Sequence, residues 1–298
     1  VSIGQFGSGQ ISMSQANGAS PAQKLPAALL MFPLVQAQTV NGVTQETRIE
    51  LLNLTNRPVT LNCFYVRGGD CFEIGFFVSL TPNQPISWLA SSGYRSFATF
   101  SSVPPFNGEG ELKCGVVPSS QEVRDHNSVQ GRAMVYDDAG QAVSYSAVAF
   151  RRLVDGFFEG FYDLDGQTYE NCPDRLHFDV LSVQPGSTSE IVLMTCNQDL
   201  VNQIPATTTA QFQVINEFEQ VFSASMSVTC WTKRRLNQVS STLNYSTLGT
   251  TTAHLVVRGV QSSLIGFAID RFDAFGVPVS TGNEPFLEGG RPGVVYFP

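Results

Sequence analysis

Thr47-Arg-Ile-Glu-Leu-Leu-Asn53, the turn Asn56-Arg-Pro58, and Val59-Thr-Leu-Asn-Cys-Phe-Tyr-Val66 form the stretch that decides the fold class. Two runs of alternating apolar and polar residues are divided by a turn segment. A period of two places successive side chains on opposite faces of a pleated strand. Thr, Val, Phe and Tyr suit such a half-buried surface. Outward from this stretch the same pattern recurs in Glu111-Leu-Lys-Cys-Gly-Val-Val117, Gln211-Phe-Gln-Val214, Ser223 to Trp231 and Ala253 to Arg258. Arg67-Gly-Gly-Asp70, Asp137-Asp-Ala-Gly140 and Asp273-Ala-Phe-Gly276 supply turn chemistry between runs. No long helical period is present. Ser119-Ser-Gln-Glu122 has capping-box spacing and predicts one or two helical turns after it. Strands without intervening helices imply antiparallel sheets.

With 298 residues, 42% of them hydrophobic and 22 of them Phe, the chain can fill more than one core. Its halves echo one another. A Thr-led strand ending at Asn53 precedes Val-Thr-Leu-Asn-Cys63-Phe, and another ending at Asn216 precedes Met-Ser-Val-Thr-Cys230-Trp. Ala133 to Gly140 followed by Gln-Ala-Val-Ser144 matches Ala268 to Gly276 followed by Val-Pro-Val-Ser280. The expected architecture is all-β: two tandem antiparallel β-sandwich domains, Ig-like or jelly-roll-like, with an extended N-terminal arm. The arm is residues 1–20, the domains are 21–153 and 176–298, and an acidic, aromatic junction occupies 154–175. Five aromatic side chains make that junction a packing segment, not a loose linker.

Charged residues are only 14% and the net charge is −8, which excludes the basic stripe that nucleic acid requires. The densest basic run is Lys233-Arg234-Arg235, read as a solvated strand end. No run reaches the ~20 apolar residues of a spanning helix; Leu25 to Val35 contains Pro26 and Pro33 and reads as a buried strand.

The chain opens on Val1 and not Met, and the expectation is a secreted protein whose signal peptide has been removed. The six cysteines, Cys63, Cys71, Cys114, Cys172, Cys196 and Cys230, lack metal-ligand spacing and read as disulfides formed in an oxidising compartment. Three fall in each half. Either one bridge crosses between the halves, or each half keeps a free or intermolecular thiol.

No catalytic motif emerges. Gly7-Ser8-Gly9 lacks the flanking glycine spacing of a nucleophile elbow, and His126 beside Asp125 reads as an exposed turn. Asp163-Leu-Asp165-Gly-Gln-Thr-Tyr-Glu170 lacks a calcium loop's ligand ladder and reads as an acidic turn. The three histidines, His126, His177 and His254, are scattered, so no metal or cofactor is expected. Asn53-Leu-Thr55 and Asn244-Tyr-Ser246 fit the glycosylation sequon, Asn53 at an exposed strand end, and glycans are a further candidate partner.

The opening segment is unusual. Residues 1–23 carry no charged side chain, and Gly, Ser, Gln and Asn are punctuated by Ile3, Phe6, Ile11 and Met13. Gly and Ser allow close backbone approach, Ile11 and Met13 share one strand face, and no proline intervenes before Pro21. Such a segment can add to an open sheet edge. On a neighbouring copy's edge, head-to-tail addition generates a filament.

Leu29-Leu-Met-Phe-Pro33, Thr47 to Thr55, Asn62-Cys-Phe-Tyr-Val66, Gln84-Pro-Ile-Ser-Trp88 and Gly110-Glu-Leu-Lys-Cys114 together resemble a loose group of uncharacterised secreted β-rich proteins of environmental Gram-negative bacteria. The resemblance covers the first half and implies secretion and a β fold, with no activity attached. The functional expectation is a structural subunit of an extracellular filament or surface layer whose partners are copies of itself. The alternatives are a carbohydrate-binding or adhesive module, with Trp88, Tyr94 or Trp231 as rim aromatics, and a secreted hydrolase without a recognisable motif.

Overall fold

The computed structural model describes residues 25–96, 101–117, 122–123, 126–274 and 277–298. The arm residues Ile3, Phe6, Ile11 and Met13 lie outside them. The described chain is all-β, with several antiparallel sheets. The first half holds β1 (Leu29–Val40), β2 (Val43–Asn53), β3 (Val59–Arg67), β4 (Glu73–Leu80), β5 (Pro85–Leu89), β6 (Tyr94–Ser96), β7 (Ser101–Val103), β8 (Gly108–Val117), β9 (Glu122–Val123), β10 (Val129–Asp137), β11 (Ala142–Ser146) and β12 (Val148–Phe150). Then come β13 (Gly156–Phe157), β14 (Phe161–Leu164), β15 (Arg175–Leu181), β16 (Ser187–Thr195), β17 (Gln198–Asp199), β18 (Thr207–Asn216), β19 (Val221–Thr229) and β20 (Trp231–Arg235). After α1 (Leu236–Val239), a single 3-10 turn and α2 (Tyr245–Leu248), the chain ends in β21 (Thr252–Gly259), β22 (Leu264–Ala274), β23 (Val277–Asn283), β24 (Phe286–Glu288) and β25 (Gly293–Tyr296).

The largest sheet runs β11-β10-β2-β1-β8-β3-β4, with β12 on β1 and β5 on β2. Its hinge is β1. Leu29 to Met31 pair with β8 and β12, whereas Gln38 to Val40 pair with β2, and the register breaks between Phe32 and Val35. Pro33 explains the break: it cannot donate to a ladder, so a bulge is where a proline is tolerated inside a sheet. The freed groups find partners. Leu34 N donates to Tyr145 Oη at 3.1 Å, and Trp231 donates to the Pro33 carbonyl at 2.7 Å.

In the second half, the sheets β19-β18-β21-β15-β24 and β20-β16-β22-β23 face each other across a core of Leu176, Phe178, Ile191, Leu193, Phe212, Leu255 and neighbours. The other face of β16 and β22 is also apolar. Val192, Met194, Ile265, Phe267 and Ile269 join Leu30, Tyr65 and Tyr145 in a core that runs across both halves. Burial on both faces accounts for the unbroken apolar runs Ile191 to Met194 and Leu264 to Ile269. Each such side chain contributes about 1.5–3 kcal/mol relative to exposure, so the halves are fused by packing as well as by sequence.

A third sheet, β14-β25-β17, brings the C-terminal strand back over the first half. Tyr162 donates to the Val116 carbonyl at 2.8 Å, its ring lies 5.2 Å from that of Phe297, and Asn62 donates to the Pro298 carbonyl at 3.1 Å. The junction segment is therefore packed: Tyr162, Leu164 and Tyr169 are buried in the shared core.

Three sequence expectations are corrected. Glu122 lies in a strand, β9, and not in a helix N-terminus; residues 119–121 lie outside the described set. Glu111 and Lys113, which alternation would turn to solvent, are fully buried beneath the second half. Short helical turns occur instead at 236–248. The echo between halves holds for the hairpins β10-β11 and β22-β23. It fails for the others, since β18 and β19 are bonded neighbours while β2 and β3 are not.

Candidate functional site

The six cysteines pair as Cys63–Cys114, Cys71–Cys230 and Cys172–Cys196, and none is free. The first staples directly opposed residues of β3 and β8. The second spans 159 residues and joins the two halves, the first of the two arrangements left open by three cysteines per half. Three disulfides mark an oxidising compartment. Among the described residues no helix is long and apolar enough to cross a membrane.

Beside the Cys71–Cys230 bridge the halves meet through a buried polar network. Lys113 on β8 bonds both Glu111 and Gln198, and Gln198 Nε2 donates to Glu73 Oε1 at 3.1 Å. Nearby, Lys233 reaches Glu109 at 2.5 Å. Glu111 is wholly removed from water, and one of its oxygens has no hydrogen-bond partner. Desolvation therefore pushes its carboxyl up to about 7, against the pull of Lys113. With Glu111 and Lys113 fully buried, the contact ties the halves together.

His126 is buried, not in an exposed turn. Its ring packs among Phe158, Tyr162 and Tyr169. Burial, reinforced by the Arg152 charge, lowers its pKa to about 4. Asn53 is likewise buried, its amide donating to the carbonyls of Arg57 at 2.7 Å and Thr81 at 2.9 Å, so the exposed strand end expected for it is not where it lies. Asn244 is half-buried and caps α2 through Thr247 N at 3.0 Å. Trp88 and Trp231 are buried and bonded to Tyr65 Oη and Pro33 O, both at 2.7 Å, so neither forms a surface platform; Tyr94 is half-buried. Asp165 accepts from the backbone of Gln167 and Thr168 in a plain acidic turn. Among the described residues no three His, Cys, Asp or Glu side chains converge on a metal-sized position. His177 and His254, scattered in sequence, meet on adjacent strands with ring nitrogens 3.1 Å apart.

The surface feature that carries the most information is β19. It ends the sheet order β19-β18-β21-β15-β24. One side is bonded to β18 from Ile215↔Val221 to Thr207↔Thr229; the other meets no strand among the described residues. Its sequence, Val-Phe-Ser-Ala-Ser-Met-Ser-Val-Thr, has no charge, no proline and no glycine. Edge strands are commonly protected by charged side chains or proline, and this one has neither. Phe222, Ala224 and Met226 point toward the second core but are only half-buried, although Ala210, Phe212 and Val214 beside them are buried. The inward side of the edge is thus partly open.

Both ends of β19 are fixed. At its start, buried Asn216 accepts from Phe218 N and Gln220 N at 3.0 and 2.9 Å and donates to Leu248 O at 2.7 Å. At its end, Cys230 adopts a positive φ of 50° and is tied to Cys71. The result is a nine-residue edge anchored at both ends, paired with β18 on one side and with no strand on the other among the described residues. The run Ser223 to Trp231 announced a strand, but only the sheet order reveals that it is terminal. Comparison with protein families, curated proteins and solved structures finds no match to the chain.

Proposed function

We propose that the chain is a secreted structural subunit of an extracellular filament or surface layer, which polymerises by laying residues 1–20 along the β19 edge of a neighbouring copy. In this reading it comprises two tandem sandwich domains, 21–153 and 176–298, joined by 154–175, and its role is structural, not catalytic. The observation that supports it is the β19 edge: long, fixed at both ends, uncharged and without a second strand partner among the described residues.

The energetics require apolar anchors as well as backbone pairing. Ordering the arm costs roughly 1–2 kcal/mol per residue, whereas each main-chain hydrogen bond returns about 0.5–1.5 kcal/mol net. Pairing alone is at best neutral. Ile11 and Met13, two apart on one strand face, match the spacing of the half-covered Phe222, Ala224 and Met226. Burying each adds about 1.5–3 kcal/mol, which tips the balance toward docking. A neighbour's arm on this edge leaves that neighbour's own edge open, so the contact propagates without closing.

Negative-stain microscopy of the full chain and of a chain starting at Gln23 tests the reading. Fibres or sheets are expected from the first and folded monomers from the second, with Met13→Asp intermediate or monomeric. Assemblies that persist after the truncation contradict it.

A further inference from the structure

A separate feature occupies the opposite end of the same sheet and does not depend on the filament reading. On β15 and β21, Asp179 directly opposes His254, and His177 opposes Val256, one step along the same face. Period two sends Leu176, Phe178 and Leu255 into the core and His177, Asp179 and His254 outward. From β24, Glu288 Oε2 reaches His177 Nε2 at 2.6 Å. His177 Nδ1 stands 3.1 Å from His254 Nε2, and His254 Nδ1 lies 3.6 Å from Asp179 Oδ1. Four side chains, far apart in sequence, thus form the string Glu288–His177–His254–Asp179.

Only one hydrogen can lie between the two facing ring nitrogens, so at least one of them presents a lone pair. A carboxylate only accepts, so His177 carries its hydrogen on Nε2 and turns a bare Nδ1 toward His254. With its hydrogen on Nε2, His254 serves that nitrogen, and its Nδ1 opens to solvent beside the exposed Asp179. With the hydrogen on Nδ1, two bare nitrogens face each other. In that second arrangement both inner lone pairs are open to a cation.

We propose that His177 Nδ1 and His254 Nε2 form a surface site for a divalent transition-metal ion of the zinc class. Two nitrogens bound at about 2.0–2.1 Å to one tetrahedral ion stand about 3.3 Å apart, close to the 3.1 Å found here. Glu288 then holds the outer nitrogen of His177 and fixes its tautomer, the usual support of a metal-bound histidine, while Asp179 places a negative charge 3.6 Å from the outer nitrogen of His254. Nitrogen donors select Zn2+, Cu2+ or Ni2+ over Ca2+ and Mg2+. His177 and His254 are respectively one-fifth and two-fifths exposed, so the ion enters from solvent and water fills its remaining positions.

Calorimetric titration of Zn2+ into the untagged, chelator-treated full chain tests the site. One ion per chain is expected. His254→Ala or His177→Ala abolishes binding, and His254→Asn does the same with less change of shape. Glu288→Gln weakens binding ~10-fold or more at unchanged stoichiometry. His126→Phe, which alters the remote buried histidine, leaves it unaltered. Thermal melting in metal-free buffer verifies that the variants are folded. Absence of zinc binding by the wild-type chain overturns the proposal, and so does binding that survives both alanine variants.

Discussion

The Trp231 indole N–H donates to the Pro33 carbonyl at 2.7 Å, joining residues 198 positions apart. Pro33 breaks the β1 ladder, and its carbonyl is satisfied from the other half of the chain. Gly68 lies against the same ring: a Cβ there would stand 2.0 Å from Trp231 Cε3. The ring has little room to retreat, being buried and next to the Cys71–Cys230 bridge. Gly68→Ala is expected to destabilise the chain by about 1–3 kcal/mol, the usual cost of overpacking, read as a lower urea midpoint.

The Cys71–Cys230 bridge closes a loop with a sequence separation of 159. Replacing both cysteines with serine is expected to cost about 2–5 kcal/mol and to expose the seam between the halves. Limited proteolysis compared with wild type reads this out. Peptide mapping of the unreduced chain is expected to return Cys63–Cys114, Cys71–Cys230 and Cys172–Cys196.

Two buried groups act in opposite senses on pH stability. Glu111 has its carboxyl raised from 4.5 to about 7 by burial, so the folded chain holds a proton the unfolded chain has released. Its contribution is greatest below about 4.5 and is lost as pH rises through about 7. His126 is lowered from 6.5 to about 4, so its contribution is present above 6.5 and is lost as pH falls through about 4. Between these limits the slopes oppose. Glu111→Gln is expected to steepen the loss of stability on acidification, and His126→Phe to flatten or reverse it. Urea midpoints across this pH range measure both slopes.

The strands were legible where alternation and turn chemistry agreed. Thr47 to Asn53 and Val59 to Val66 fall within β2 and β3, and Asp137 to Gly140 turns between β10 and β11. What local pattern could not convey is coverage by distant chain. Glu111 and Lys113 alternate like an exposed face because the residues burying them come from the far half, Gln198 among them. The expected exposure of Asn53 missed its role as a strand terminator, although Asn216 performs the same task in the second half, each accepting from a backbone N–H two residues on. The His177–His254 contact joins residues 77 positions apart, and only strand register creates it. The terminal position of β19 is likewise a property of sheet order.

The filament proposal rests on β19 as acceptor, and amide hydrogen exchange interrogates that edge directly. In assembled full chain, the β19 amides that point away from β18 are expected to be protected, and to exchange rapidly in a chain starting at Gln23. Equal exchange in both, or protection acquired at another edge while β19 stays open, contradicts the account.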